Sequence, residues 1–103
     1  MSKLKDERVD FLFRSILSLK DEEECYRFFE DLCTLTEVRE MAKRMHAARM
    51  LYHGEIYTAV GEATGLSTAT ISRVSRCIKD GNDGYTAVLA RLEAEEQGKT
   101  DNG

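Results

Sequence analysis

The chain has 103 residues, of which 42% are apolar and 33% charged, and a formal net charge of −4. This composition is too hydrophobic for a disordered chain, and the length leaves room for one ordinary domain. No stretch reaches the roughly 20 apolar residues of a membrane span, and Met1-Ser2-Lys3-Leu4-Lys5-Asp6 has no apolar signal-peptide core, so a cytoplasmic protein with no membrane partner is expected.

Proline is absent, and Ala, Leu, Glu, Lys, Arg and Met are frequent, which predicts an all-α fold. Six helices can be read along the chain. The first spans about Asp6 to Leu19, with Val9, Leu12, Phe13, Ile16 and Leu17 at helical spacing. Phe11 and Leu19 widen that stripe around much of the helix, as packing against a partner chain requires. Asp21, followed by Glu22, Glu23 and Glu24, starts a second helix, since Asp caps free N–H groups and acids favour the positive helix end. Cys25, Phe28, Phe29 and Leu32 are its expected buried face. Thr36, followed by Glu37, is the expected cap of a third helix that reaches Tyr52 and ends at Gly54 in a left-handed conformation.

Two short helices follow, over Tyr57–Thr64 and Thr68–Ile78. The run Asp80-Gly81-Asn82-Asp83-Gly84 is turn chemistry, with residues able to take positive φ. A last helix over Tyr85–Glu95 is expected to carry Val88, Leu89 and Leu92 inward. The expected organisation is one domain over residues 1–97, with a flexible tail at 98–103.

The segment 57–78 has the pattern of a helix-turn-helix. Two short helices cross at a wide angle only through a tight joint, and Gly65-Leu66-Ser67 supplies one. Val60, Leu66, Ile71 and Val74 occupy the inward positions. Gly61 stands where the helices approach most closely and a small residue is needed, and Ser67 can cap the second helix. The outward face of that helix reads Ser67, Thr68, Ala69, Ser72, Arg73 and Arg76. Short hydroxyls and a methyl group let a backbone sit deep in a major groove, where they can meet base edges or a thymine methyl. Arg76 and Lys79 are placed for phosphates.

Counting charge by segment supports a double-stranded DNA partner despite the net −4. Residues 1–38 carry six basic and ten acidic side chains, and residues 80–103 two and six. Residues 39–79 carry Arg39, Lys43, Arg44, Arg49, Arg73, Arg76 and Lys79 against Glu40, Glu55 and Glu62 alone, a local +4. A basic middle on an acidic frame is the footprint of a localised phosphate-facing surface.

The segments Leu35-Thr36-Glu37-Val38-Arg39-Glu40, His53-Gly54-Glu55 and Gly65-Leu66-Ser67-Thr68-Ala69-Thr70-Ile71-Ser72-Arg73 resemble the tryptophan repressor family, in its YerC/YecD-type branch. Residues 22–33, from Glu22 to Cys33, and Gly81-Asn82-Asp83-Gly84-Tyr85 extend the resemblance over nearly the whole chain. The resemblance implies a six-helix fold in an intertwined homodimer that presents two reading heads to one operator. Symmetric heads imply a pseudo-palindromic site with half-sites about 34 Å apart. It also implies a small-molecule co-repressor site at Arg44, Arg73 and Cys77. Two departures separate this chain from the tryptophan-binding pattern: Val74 stands where the family has glycine, and Cys77 stands in place of a serine. Binding without a ligand, or with an effector other than tryptophan, is the expectation.

Other features have plain readings. Cys25, Cys33 and Cys77 are odd in number and widely spaced, so free thiols packed in the core are expected. His46 and His53 have no ligands at metal spacing beside them, and no metal is expected. Gly81–Gly84 lacks the Lys-Ser/Thr ending of a phosphate loop. No nucleophile–base or carboxylate pair indicates an enzyme. The expected function is therefore a sequence-specific transcriptional regulator acting as a repressor. The alternatives are a helical interaction scaffold or a DNA-binding accessory protein of low specificity.

Overall fold

A computed structural model describes residues 2–102, with side chains described through residue 98. Among the described residues there are six helices and no strand: α1 (Glu7–Leu17), α2 (Glu22–Leu32), α3 (Leu35–Tyr52), α4 (Tyr57–Thr64), α5 (Thr68–Asp80) and α6 (Gly84–Asn102). None of these helices is long and apolar enough to cross a membrane.

The helix starts follow from side-chain caps. The Asp6 carboxylate accepts the Val9 N–H at 2.8 Å, and Asp21 accepts the Glu24 N–H at 2.8 Å. At α3 the cap is Thr34, two residues earlier than the expected Thr36. Its hydroxyl accepts the Glu37 N–H at 3.1 Å, and Glu37 reaches back to accept the Thr34 N–H at 2.8 Å. This reciprocal pair satisfies two orphan donors at once, an arrangement that Thr36 at the same site could not make with Glu37. Gly54 closes α3 at φ +84°, as its position predicts.

The turn before α6 departs from expectation. Only Asp83 takes positive φ there, at 63°. Gly81 serves another purpose: a Cβ on it would collide with the Cys77 carbonyl, so the chain can leave α5 here only without a side chain. The last helix is longer than the Tyr85–Glu95 segment read from sequence. The helix runs as far as Asn102, and Gly103 lies outside the described residues.

By its backbone contacts the chain divides into two compact units, residues 1–38 and 39–103. In the first unit, α1 and α2 bury no side chain. Phe11 is 66% exposed, Leu17 83% and Tyr26 68%. Leu32 is exposed as well, and Cys25, Phe28 and Phe29 are only half-buried, which corrects the expected buried face of α2. The physical reason is size: two helices of 11 residues cannot enclose an interior of their own.

The second unit holds the core, in two clusters with α5 between them. Ala47 on α3, Val60 on α4 and Ile71 on α5 form one cluster, with Leu66 packed against it. Ala48 on α3, Val74 on α5 and Leu89 on α6 form the other, joined by Tyr85 and Ile78. Consecutive residues of a helix point about 100° apart, so Ala47 and Ala48 can each face a different neighbour. Both are small, which lets the neighbouring helices pack close to the α3 backbone. On α6, Leu89 is buried while Val88 and Leu92 remain exposed, correcting the expectation that all three turn inward. Burying Ile71 and Val74 on one helix anchors α5 firmly; truncating either to alanine costs about 2–5 kcal/mol for an aliphatic core side chain.

Candidate nucleic-acid interface

The joint between α4 and α5 is built by the four residues from Thr64 to Ser67. Thr64, buried, donates its hydroxyl to the Val60 carbonyl at 2.7 Å and accepts the Leu66 N–H at 3.2 Å. Gly65 follows with φ 74°, and its N–H donates to the Gly61 carbonyl at 2.8 Å. Ser67 then caps α5, its hydroxyl oxygen accepting the Thr70 N–H at 3.2 Å while its proton goes to the Thr70 hydroxyl at 3.1 Å. The chain direction changes over Gly65-Leu66-Ser67, with the Gly65 and Leu66 N–H groups both hydrogen-bonded.

Gly61 is less constrained than the sequence implies. A Cβ on it would sit 3.6 Å from Ile71 Cδ1, which is ordinary van der Waals contact. A small residue is needed there, but alanine is small enough.

With Ile71, Val74 and Ser75 buried, the opposite face of α5 is left to solvent. Ser67, Thr68, Ala69, Arg73, Arg76 and Lys79 are exposed, and Ser72 is half-buried. Seven candidate residues thus occupy one end and one side of a single well-anchored helix. Arg73, Arg76 and Lys79 have no ion-pair partner among the described residues. Elsewhere in the chain, Lys43 is paired with Glu40 at 3.1 Å and Arg49 with Glu96 at 3.4 Å. The cations of α5 are therefore available to an external anion. The first turn of α5 carries no acidic side chain, so its positive end is not neutralised from within.

Beside this face lies a cavity of about 340 Å³ lined by Arg44, Thr70, Arg73, Val74, Cys77 and Tyr85. It gathers Arg44, Arg73 and Cys77, the three residues singled out for an effector. Val74 contributes to the wall while packing against Ala48 and Leu89. Thr70 and Tyr85 were not anticipated. Thr70 could have been found, since it lies three and seven residues before Arg73 and Cys77, on the same side of α5. Tyr85 could not, because it reaches the cavity from α6 and only the packing of that helix brings it there.

The histidines are not gathered for metal binding. His53 Nε2 lies 2.6 Å from Glu93 Oε1, joining the end of α3 to α6. Among the described residues no cluster of His, Cys, Asp and Glu has the makings of a metal site.

Residues 7–93 match the family model described as Trp repressor protein. The uncharacterized protein YerC of Bacillus subtilis (strain 168) is 53% identical over 96 residues, covering 93% of this chain and 92% of YerC. Among solved structures, a TrpR like protein from Eubacterium eligens ATCC 27750 superposes with a TM-score of 0.84 at 50% identity, over 88% of this chain and 94% of that one. A crystal structure from Staphylococcus aureus gives a TM-score of 0.83 at 45% identity, over 88% of this chain and 91% of its own.

Proposed function

Because this chain belongs to the Trp repressor protein family, we propose that it is a sequence-specific DNA-binding transcriptional regulator that acts as a repressor on a pseudo-palindromic operator. The observation that carries this reading is α5, held by two buried clusters and presenting three unpaired cations and a row of short polar side chains to solvent. In this reading Ser67, Thr68, Ala69 and Ser72 meet base edges, and Arg73, Arg76 and Lys79 hold phosphates. Arg44, Arg73 and Cys77 form the effector site. The protein works as a homodimer, because a single chain leaves Phe11, Leu17, Tyr26 and Leu32 in water, and a second copy offers the same faces to cover them.

The experiment is selection of bound fragments from genomic DNA, followed by footprinting at 50 and 200 mM salt. The expected outcome is a small set of protected two-fold symmetric sites. They should bind at least about a thousandfold tighter than random duplex. Uniform weak protection that vanishes at the higher salt would favour the low-specificity accessory reading, and no protection at either salt would leave the interaction scaffold.

A further inference from the structure

We propose that Thr70 is a positioning residue of the α5 reading face: it holds the Ser67 hydroxyl as a hydrogen-bond acceptor only, so that Ser67 selects the amino group of adenine or cytosine in the major groove. This role rests on the regulator reading above, in which Ser67 meets a base edge.

A serine hydroxyl has one proton to give and two lone pairs with which to receive. At Ser67 most of this capacity is spent inside the protein. The proton goes to the Thr70 hydroxyl oxygen at 3.1 Å, and one lone pair receives the Thr70 N–H at 3.2 Å. A single lone pair remains for an outside partner, and Ser67 is exposed at the start of α5, where a partner can reach it. The capping bond alone would not have this effect, because it fixes the oxygen and leaves the proton free to rotate. The Thr70 hydroxyl is what takes the proton. Thr70 is half-buried and precedes Ile71, which is 2% exposed in the core, so the group that orients Ser67 is itself held.

The other hydroxyls of this face are not fixed in this way. Thr68, exposed, and Ser72, half-buried, have no side-chain hydrogen bond among the described residues. A hydroxyl free to turn donates or accepts as its neighbour requires, so its position alone sets what it reads. Ser67 has a polarity that the protein decides before any DNA arrives.

The bases that suit an acceptor follow from the groove. Adenine N6 and cytosine N4 carry amino donors there, whereas guanine O6 and thymine O4 accept. An acceptor-only hydroxyl therefore attracts adenine or cytosine on the strand it faces, and meets guanine or thymine lone pair to lone pair. Nor can it donate to a phosphate oxygen, which leaves backbone contacts to Arg73, Arg76 and Lys79 and keeps Ser67 for base readout.

Two measurements test this, the first without DNA. Thermal unfolding of Ser67→Ala, Thr70→Val and the double variant closes a cycle. Thr70→Val should cost more in Tm in the parent than in the Ser67→Ala background, and an equal cost overturns the hydroxyl pair. The second is fluorescence anisotropy on duplexes of the selected operator in which purine replaces each adenine, or 2-pyrimidinone each cytosine, removing one amino group at a time. One such change should weaken the parent about tenfold more than it weakens Ser67→Ala. Inverting that base pair should also cost the parent about tenfold. In Thr70→Val the inversion should cost about threefold or less, because the freed Ser67 proton can be given to thymine O4 or guanine O6. Thr70→Ser, which keeps a hydroxyl, should retain the parent's penalty. The proposal is overturned if no amino deletion separates Ser67→Ala from the parent. It is equally overturned if Thr70→Val weakens every duplex alike and leaves the inversion penalty unchanged, the mark of a merely structural role. If no duplex binds at all, the regulator reading fails and the base assignment falls with it, while the unfolding cycle still decides the hydroxyl pair.

Discussion

Two glycines at and before the α4–α5 joint have different physical reasons to be glycine. Gly65 takes φ 74°, where an L side chain strains against its own backbone, although no neighbour crowds it. Gly61 lies inside α4 with room for a methyl group. Gly65→Ala should therefore lower stability by about 1–2 kcal/mol, whereas Gly61→Ala should raise it by about 0.5–1 kcal/mol through helix propensity and a less flexible unfolded chain. Thermal unfolding of the two variants checks this, and shifts of the same sign would refute it. At the start of α3, the Thr34 N–H and then the Thr34 hydroxyl hold the exposed Glu37 carboxyl below its ordinary value of 4.5. A depressed carboxylate contributes its stabilisation above the unfolded value and loses it as pH falls through the lowered folded value. The Thr34 amide resonance should accordingly titrate with a midpoint below 4.5. In Glu37→Gln that titration should disappear, and its persistence would assign the effect to another group.

Among the elements, α5 has two sides of different character, and the proposed function rests on it. Ile71 and Val74 hold it in the core, and the residues between them are left free to meet a partner. On that helix, Arg76→Ala should weaken binding to every duplex alike and reduce the salt slope by about one. Thr68→Ala and Ser72→Ala should instead change which base is preferred at their contact positions, by about 1–3 kcal/mol per position. Anisotropy titrations on a panel of single-base operator variants over several salt concentrations separate the two patterns. A uniform loss for Ser72→Ala, or a sequence-dependent loss for Arg76→Ala, would reverse the assignment of roles. The pattern on α5 was readable from spacing alone, since an amphipathic helix declares which side it buries. On α6 it was not: Val88, Leu89 and Leu92 are equally apolar, and only packing against Ala48 and Val74 selects Leu89.

For the molecule as a whole, the contrast between its two units sets the expectation. Residues 39–103 contain every buried side chain of the described set, and residues 1–38 contain none. Apolar side chains left in water on two short helices stabilise nothing until something covers them, each being worth about 1.5–3 kcal/mol when fully buried. If a second copy covers them, the unfolding midpoint should rise with protein concentration. Leu17→Glu, at a side chain 83% exposed in the single chain, should shift the species in sedimentation towards the monomer. A parent protein that sediments as a monomer at micromolar concentration would rule out the homodimer.

By itself the sequence determined the helical class, the cap residues Asp21 and Ser67, the left-handed glycine at 54, the turn at Gly65, and the outward face of α5. These are local matters, set by propensity, capping and a period of 3.6 residues. Tertiary structure decided the rest. It brought Tyr85 of α6 to the wall shared by Arg44 and Arg73, residues far apart in the chain. It also chose one leucine of α6 for the core and left the first two helices without a core of their own. Such outcomes depend on which surfaces meet, and hydrophobic burial is non-directional, so residue type alone does not specify the partner.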